Sequence, residues 1–402
     1  MSVWISLIGI GEEGLDGLAP ALKTLIDDAD VLVGGERHLA KVPGGDAERL
    51  GYDNGFGAVL DEIESRRDRK VVVLASGDPM NYGIGAMLSR RFGIDDMEIH
   101  PAPGAFSLAA ARMGWSLPDC ETLTVHGRPA DVLNLHMSPG TRLLVLCRDG
   151  DSPAEAAALL SERGYGDSQV TVLEHLGGDN ENRFDGRAAD WSHERAADLN
   201  TLAIECIAEP EAQLLSRAPG LPDDAYDHNG QLTKREVRAV TLSSLAPLPG
   251  ELLWDIGSGS GSIAIEWMRL GGHRKAVAIE KDSARANVIA KNASRLGTSK
   301  LKIIEGTCPD VDIPGEAPDA IFVGGGVSTP GLLDWAWDSL KPGGRLVANA
   351  VTIESEQALS AFHEAHGGDL LRLVVERAET IGSSNGFKPM RAVTQLSLRK
   401  PS

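Results

Sequence analysis

Cysteine is scarce in this sequence: Cys120, Cys147, Cys206 and Cys308 are the only four in 402 residues, and none stands at the close spacing of a zinc site or disulfide framework. They read as buried, reduced thiols. Basic charge is short too, with 39 Lys and Arg against 58 Asp and Glu, a formal net charge of -19. Nucleic-acid binders gain affinity by neutralising phosphates with clustered cations, so nucleic acid is not an expected partner. An anionic small molecule stays open, because basic groups that converge in one cleft act over a short range. No apolar run approaches the roughly 20 residues that span a bilayer, so no membrane partner is expected. Residues 1–10 lack a basic region and their apolar stretch is broken too early for a signal peptide, which makes the cytoplasm the expected location. The ten histidines are scattered without metal-ligand spacing, and no Ser-His-Asp or Cys-His set stands out. Neither a metal nor a protein nucleophile is expected.

What is present is enough chain for two cores. Strand-like and helix-like runs alternate throughout, which favours an α/β architecture with mostly parallel sheets. Residues 208–231 turn into Glu, Pro, Asp, Gly and Asn with little periodicity, and so read as a linker between domains at 1–207 and 232–402. The two halves carry glycine loops of different spacing and are not a simple duplication. In the first half an apolar strand at 3–10 runs into Gly9, Gly11 and Gly14. A second, at 71–75, ends in Ser76-Gly77-Asp78-Pro79; Pro103-Gly104 opens a helix at 105–113; a third strand, at 123–125, ends in His126-Gly127-Arg128. Open α/β sheets bind ligands at such strand ends.

The second half holds the most informative motif. A strand at 252–256 passes through Asp255-Ile256-Gly257-Ser258-Gly259-Ser260-Gly261 into a helix at 262–270, and alternating glycines let the backbone approach a ligand closely. The next strand ends in Glu280, whose carboxylate is placed to accept two ribose hydroxyls. A dinucleotide site is the alternative, but its G-x-G-x-x-G pattern counted from Gly257 needs glycine at 262, which is Ser262; here the third glycine is Gly261 and Asp255 stands two residues before the first. That is the methyltransferase form, with S-adenosylmethionine as the expected cofactor. A strand at 302–305 ends in Gly306-Thr307, where such folds contact adenine. Another, at 320–323, ends in Gly324-Gly325-Gly326, which leaves room for a broad, flat substrate or makes a flexible loop.

These residues carry a family resemblance. The carboxyl half, through Leu232-Thr233-Lys234-Arg235-Glu236-Val237-Arg238, the loop from Trp254 to Gly261 and Ile265-Glu266-Trp267-Met268, resembles the decarboxylating precorrin methylase domain of cobalamin biosynthesis. The amino half, through Gly9-Ile10-Gly11, Ala29-Asp30-Val31-Leu32-Val33-Gly34-Gly35, Gly77-Asp78-Pro79, Tyr82-Gly83-Ile84-Gly85 and His126-Gly127-Arg128, is similar to the tetrapyrrole methylases. Together they resemble the fused precorrin-6Y C-5,15-methyltransferase (decarboxylating) family. The resemblance implies a tetrapyrrole-methylase fold of two α/β subdomains joined to a Rossmann-like class I methyltransferase with a mostly parallel seven-stranded sheet. It implies C-5 methylation by the amino domain, C-15 methylation and loss of the ring C acetate carboxyl by the carboxyl domain, precorrin-8X as product, and a homo-oligomer. It places one methyl donor at Thr233, Asp255, Gly257, Ser258, Gly259, Ser260, Gly261, Glu280, Gly306 and Thr307, and the other near Gly9, Gly77, Asp78 and Pro79.

Methyl transfer from a sulfonium is an in-line displacement, for which the protein supplies proximity, alignment and a dry site. A tetrapyrrole bearing many carboxylates calls for local basic groups. Lys234 and Arg238 stand at i and i+4, and Arg235 and Arg238 at i and i+3, which suggests a carboxylate clamp on one helix face or, alternatively, a solvated helix start. Lys388 and Arg391 form a second candidate rim, and His126 and Arg128 are candidates in the amino domain, with a buried structural histidine as the other reading. Two further functions stay open: an RNA methyltransferase, which the charge disfavours, and a corrinoid-binding protein with one active methylase domain.

Overall fold

The computed structural model describes residues 3–52, 55–230 and 232–402. Met1, where the amino-terminal reading starts, and Gln231, the last residue of the predicted linker, lie outside the described residues. The chain divides into two units, Met1–Ala130 with Pro139–Ala212, and Asp131–Ser138 with Gln213–Ser402.

In the first unit, β1 (Ile5–Ile10), β2 (Val31–Val33), β3 (Glu48–Leu50), β4 (Val71–Ser76) and β5 (Met97–His100) form a parallel sheet in the order β3-β2-β4-β1-β5. The central strands β1 and β4 are apolar and buried almost throughout, as strands covered on both faces must be. A second sheet is made of β6 (Cys120–Thr124), β7 (Arg142–Leu146), β8 (Gln169–Glu174), β9 (Asn182–Arg187) and β10 (Asn200–Glu205), in the order β6-β7-β10-β8-β9. Here only β6 and β7 pair in parallel, a departure from the alternation-based expectation. Between β8 and β9 lie seven residues, too few for the crossover of about a dozen that a parallel pair needs.

The second unit contains β11 (Leu252–Ile256), β12 (Lys275–Glu280), β13 (Lys302–Glu305), β14 (Ala320–Val323), β15 (Arg345–Ala350), β16 (Asp369–Leu373), β17 (Glu376–Ile381), β18 (Ser384–Pro389) and β19 (Val393–Arg399). Seven of them form one sheet in the order β13-β12-β11-β14-β15-β19-β16, parallel except for β19, which runs against both neighbours. The order reverses between β11 and β14, and a crevice opens at such a switch point, beyond the carboxyl ends of the strands. β17 and β18 form a separate hairpin.

The segment 208–231, read from its composition as a linker, places Leu215, Leu221, Ala225 and Tyr226 in the core of the second unit. Its backbone is tied down as well: Gly220 and Leu221 donate their amides, and Tyr226 its hydroxyl, to the buried carboxylate of Glu266. Isolated apolar residues among polar ones dock here one by one, without the periodicity that marks an element. Among the described residues no helix is long and apolar enough to cross a membrane.

Candidate active site

The loop after β11 is shaped by its glycines. Gly257, Gly259 and Gly261 have φ of +68°, +62° and +81°, a left-handed conformation that strains any residue with a side chain. A Cβ on Gly257 would lie 2.9 Å from the Gly325 Cα, so the loops after β11 and β14 pass backbone against backbone. Two carboxylates brace the turn. Asp255 Oδ2 accepts from Ser258 Oγ (2.8 Å) and from the Ala264 amide (3.1 Å), joining the loop to the helix Ser262–Arg269. Burial pushes its carboxyl up to about 6, against the opposing Ser258 and Ala264 bonds, and Oδ1 is buried without a partner. Glu280, at the end of β12, accepts from the Gly259 amide through Oε2 (2.9 Å) and from the Asp282 amide through Oε1 (3.1 Å). A carboxylate has about four lone-pair sites, so these two amide bonds do not exhaust Glu280, and Arg285 Nε stands 3.7 Å from its Oε1.

These elements open onto a cavity of about 1040 Å³, at the upper end of the range for ligand sites, with room for a nucleoside and part of a second molecule. Of the predicted donor residues, Thr233, Gly257, Ser258, Gly259, Ser260, Glu280, Gly306 and Thr307 line it. Asp255 and Gly261 do not; Asp255 lies beneath the loop, and Gly261 packs on the next helix, where a Cβ would meet Ile289 at 2.8 Å. Of the predicted substrate residues, Lys234, Lys388 and Arg391 line the cavity.

Arg235 and Arg238 are not brought to it, and the expected clamp needs correction. Arg238 is fully buried, its Nε donating to Glu266 Oε1 (2.5 Å) and its other nitrogens to the carbonyls of Thr233 and Leu221. A buried Glu266 requires a charge partner, and Arg238 supplies it. Lys234 precedes the helix Arg235–Leu245 rather than lying on it, so the i, i+4 face does not form. Arg235 donates its amide to Asp223 Oδ1 (3.0 Å).

Several lining residues escaped the sequence reading, among them Lys281, Arg285, Asn349 and Arg377. Arg377 arrives on the β17–β18 hairpin, where it donates to both oxygens of Glu236 (2.8 and 3.0 Å). A signal for this hairpin exists in Gly382-Ser383, a two-residue turn with Gly382 at φ +61° between the paired Ile381 and Ser384.

In the first unit the glycines make a different structure. A Cβ on Gly9 would fall 1.9 Å from the Gly77 carbonyl oxygen, and one on Gly77 would fall 2.8 Å from the Gly104 Cα. The amide of Gly77 donates to Ile10 and its carbonyl accepts from Ala102, so three chain segments meet here. Asp78 Oδ1 accepts from the Met80 amide, and Gly83 and Gly85 fit against the Pro79 carbonyl. Arg128 comes to this loop by resting its guanidinium 5.5 Å above the Tyr82 ring. His126 is exposed, which excludes the buried reading. Beside Gly77 stands a polar group that spacing did not reveal: Ser76 Oγ accepts from Arg37 (2.9 Å) and pairs with His38 Nε2 (2.8 Å), while Glu12 bridges Arg37 and Lys41. Burial, with Arg37 and Lys41 nearby, lowers His38 to about 4, so its ring is neutral at pH 7.

Strand order and glycine turn define the second unit as a Rossmann-like methyltransferase domain, in an enzyme that uses S-adenosylmethionine. The comparisons with known proteins extend this to the whole chain. Residues 5–191 match the family model of tetrapyrrole (corrin/porphyrin) methylases, and residues 224–400 that of the precorrin methyltransferase domain. A precorrin-6Y C(5,15)-methyltransferase (decarboxylating) from a Sinorhizobium species is 45% identical over 100% of this chain and 97% of that relative. Two separate Salmonella typhimurium proteins are similar over parts of it: a cobalt-precorrin-7 C(5)-methyltransferase, 37% identical over 44% of this chain and 87% of its own length, and a cobalt-precorrin-6B C(15)-methyltransferase (decarboxylating), 34% identical over 43% and 91%. The chain belongs to the precorrin-6Y C(5,15)-methyltransferase (decarboxylating) family, and it is an enzyme of cobalamin biosynthesis.

Proposed function

We propose that this enzyme transfers two methyl groups from S-adenosylmethionine to precorrin-6Y, at C-5 and C-15, and releases the ring C acetate carboxyl as carbon dioxide, giving precorrin-8X. The observation that carries the reading is the cavity of the second unit. It joins the donor loop to six basic side chains, Lys234, Lys281, Arg285, Arg377, Lys388 and Arg391, with two carboxylates, Glu280 and Glu379, in a chain whose net charge is -19. Such local excess of cations in an acidic protein suits a polycarboxylate ligand and not a nucleic-acid backbone.

In this reading the first unit methylates C-5 with its own donor held near Gly77, Asp78 and Pro79, and the second methylates C-15 and decarboxylates. The two Salmonella relatives support the division, because there the C(5) and the decarboxylating C(15) activities carry separate names on separate proteins. Thr233, the loop from Gly257 to Ser260, Glu280, Gly306 and Thr307 hold the second donor, while Lys234, Lys388 and Arg391 meet substrate carboxylates. The four cysteines, thiols rather than disulfides in the structure, suit a reducing cytoplasm, and a homo-oligomer follows from the family resemblance.

Mass spectrometry of precorrin-6Y incubated with the enzyme and S-adenosylmethionine tests the reading. Two methyl groups gained and one carbon dioxide lost is the expected product. A single methyl gained would restrict activity to one unit, and an unchanged substrate would refute the assignment.

A further inference from the structure

Behind the cavity wall of the second unit runs a chain of neutral polar side chains. Ser244 Oγ donates to Gln395 Oε1 (2.8 Å), and Gln395 Nε2 donates to Asn349 Oδ1 (2.8 Å) and to Thr241 Oγ1 (3.0 Å). Asn349 Nδ2 donates to the same Thr241 oxygen at 3.0 Å. Thr241 and Gln395 are wholly buried, and Asn349, opposite Gln395 in the β15–β19 register, reaches the cavity.

In this arrangement Asn349 turns its amide oxygen to Gln395 and its NH₂ to Thr241. An asparagine side chain offers two N–H donors and two lone pairs on its oxygen. One N–H and one lone pair are used within the network, which leaves one of each for the cavity. A fully bonded buried network holds its members rigidly, so this free N–H is aimed before any ligand arrives.

We propose that Asn349 is a catalytic residue whose free N–H holds the carboxylate that leaves as carbon dioxide; the inference rests on the decarboxylating function proposed above. The chemistry favours a neutral donor at this point. A departing carboxylate sheds its charge in the transition state, so a cation bound to it would stabilise the ground state more and slow the step. The basic side chains of the cavity suit the carboxylates that stay. Val351, two residues after Asn349, and Val393, two residues before Gln395, line the cavity and add apolar surroundings for the one that goes.

The step balances without a co-reactant. A ring carbon's electron pair forms the new bond to methyl as the sulfur–methyl bond breaks towards sulfur, leaving positive charge on the ring system. The bond to the carboxylate carbon then breaks, its electrons flow into that cationic system, and carbon dioxide departs. The methylene carbon left behind takes up a proton, and the newly methylated ring carbon gives one up.

Asn349→Asp provides the test. Its oxygens still accept from Gln395 and from the Thr241 hydroxyl, but the free N–H is lost and a negative charge faces the leaving carboxylate. The expected result is carbon dioxide release from precorrin-6Y slowed by about 100-fold, the scale for misplacing a reacting group once its positioning contact is gone, with S-adenosylmethionine affinity at the second unit within about twofold of wild type and methylated product still carrying its carboxyl. Asn349→Ser, which restores a neutral donor, recovers part of the rate. Decarboxylation by Asn349→Asp at the wild-type rate overturns the proposal, as does equal loss of donor binding and thermal stability in both variants, which would make Asn349 merely structural. A wild-type enzyme that releases no carbon dioxide from precorrin-6Y instead removes the decarboxylating function on which the inference rests.

Discussion

At the end of β11, the Cβ that Gly257 lacks would sit 2.9 Å from Gly325, beside a cavity that both residues line; at the end of β1, the Cβ that Gly9 lacks would sit 1.9 Å from the Gly77 carbonyl. Both positions demand glycine, but the first borders an open cavity while the second lets strand ends touch. A glycine at a strand end therefore reports close backbone approach, and only the surrounding side chains tell whether a ligand or another segment is the neighbour. In the second unit Glu280 and Asp255 supply that context. In the first, the polar side chains gather one residue away, at Ser76, His38 and Arg37.

The sharpest break between the two glycines comes from replacing each with alanine. Gly9→Ala forces a Cβ into a carbonyl oxygen and should lower the stability of the first unit by about 3 kcal/mol, the cost of overpacking a close contact. Calorimetry would read this, with donor binding to the second unit unchanged. Gly257→Ala should leave the first unit intact and weaken donor binding at the second by about 10- to 100-fold, from 1–3 kcal/mol of local strain, in an isothermal titration. Equal effects of the two substitutions on binding would erase the distinction.

Acidity separates the units more subtly. With Asp255 raised to about 6 by burial, its negative charge beneath the donor loop fades as pH falls through that value, so donor affinity at the second unit should weaken there. Asp255→Asn should flatten the profile. Smallest of all is an opposition in stability. Folded His38 is held below its ordinary 6.5, so the unfolded chain takes the proton first and the first unit loses stability as pH falls from 6.5 towards 4. Folded Asp255 keeps its proton above the ordinary 3.8, so its contribution favours folding at pH 4 and is lost as pH rises through about 6. Urea unfolding of each unit at several pH values, with His38→Asn and Asp255→Asn as controls, checks both signs.

The parts of the fold that local pattern could announce were legible. The strands Leu252–Ile256 and Ala320–Val323 and the helix Ala105–Met113 fall where apolar runs bounded by glycine put them, and the tight turn after β11 followed from the spacing of three glycines. What escaped depends on distant partners. Arg238 looked like a surface clamp because nothing near it in sequence reveals Glu266, 28 positions away. Tyr226 and Leu221 looked like linker because each docks singly. Ser76 stood in view as a strand end, but its neighbours Arg37 and His38 come from 39 and 38 residues earlier. Arg377 arrives on a hairpin whose turn, Gly382-Ser383, is marked in the sequence by a single glycine.

The central claim is that two differently built units each hold a methyl donor. Titration of the whole chain with S-adenosylmethionine under equilibrium conditions tests it most directly. Two donor molecules bound per chain, one of them about 10- to 100-fold more weakly in Gly257→Ala, is the predicted result; one per wild-type chain would contradict the account and leave a single active methylase.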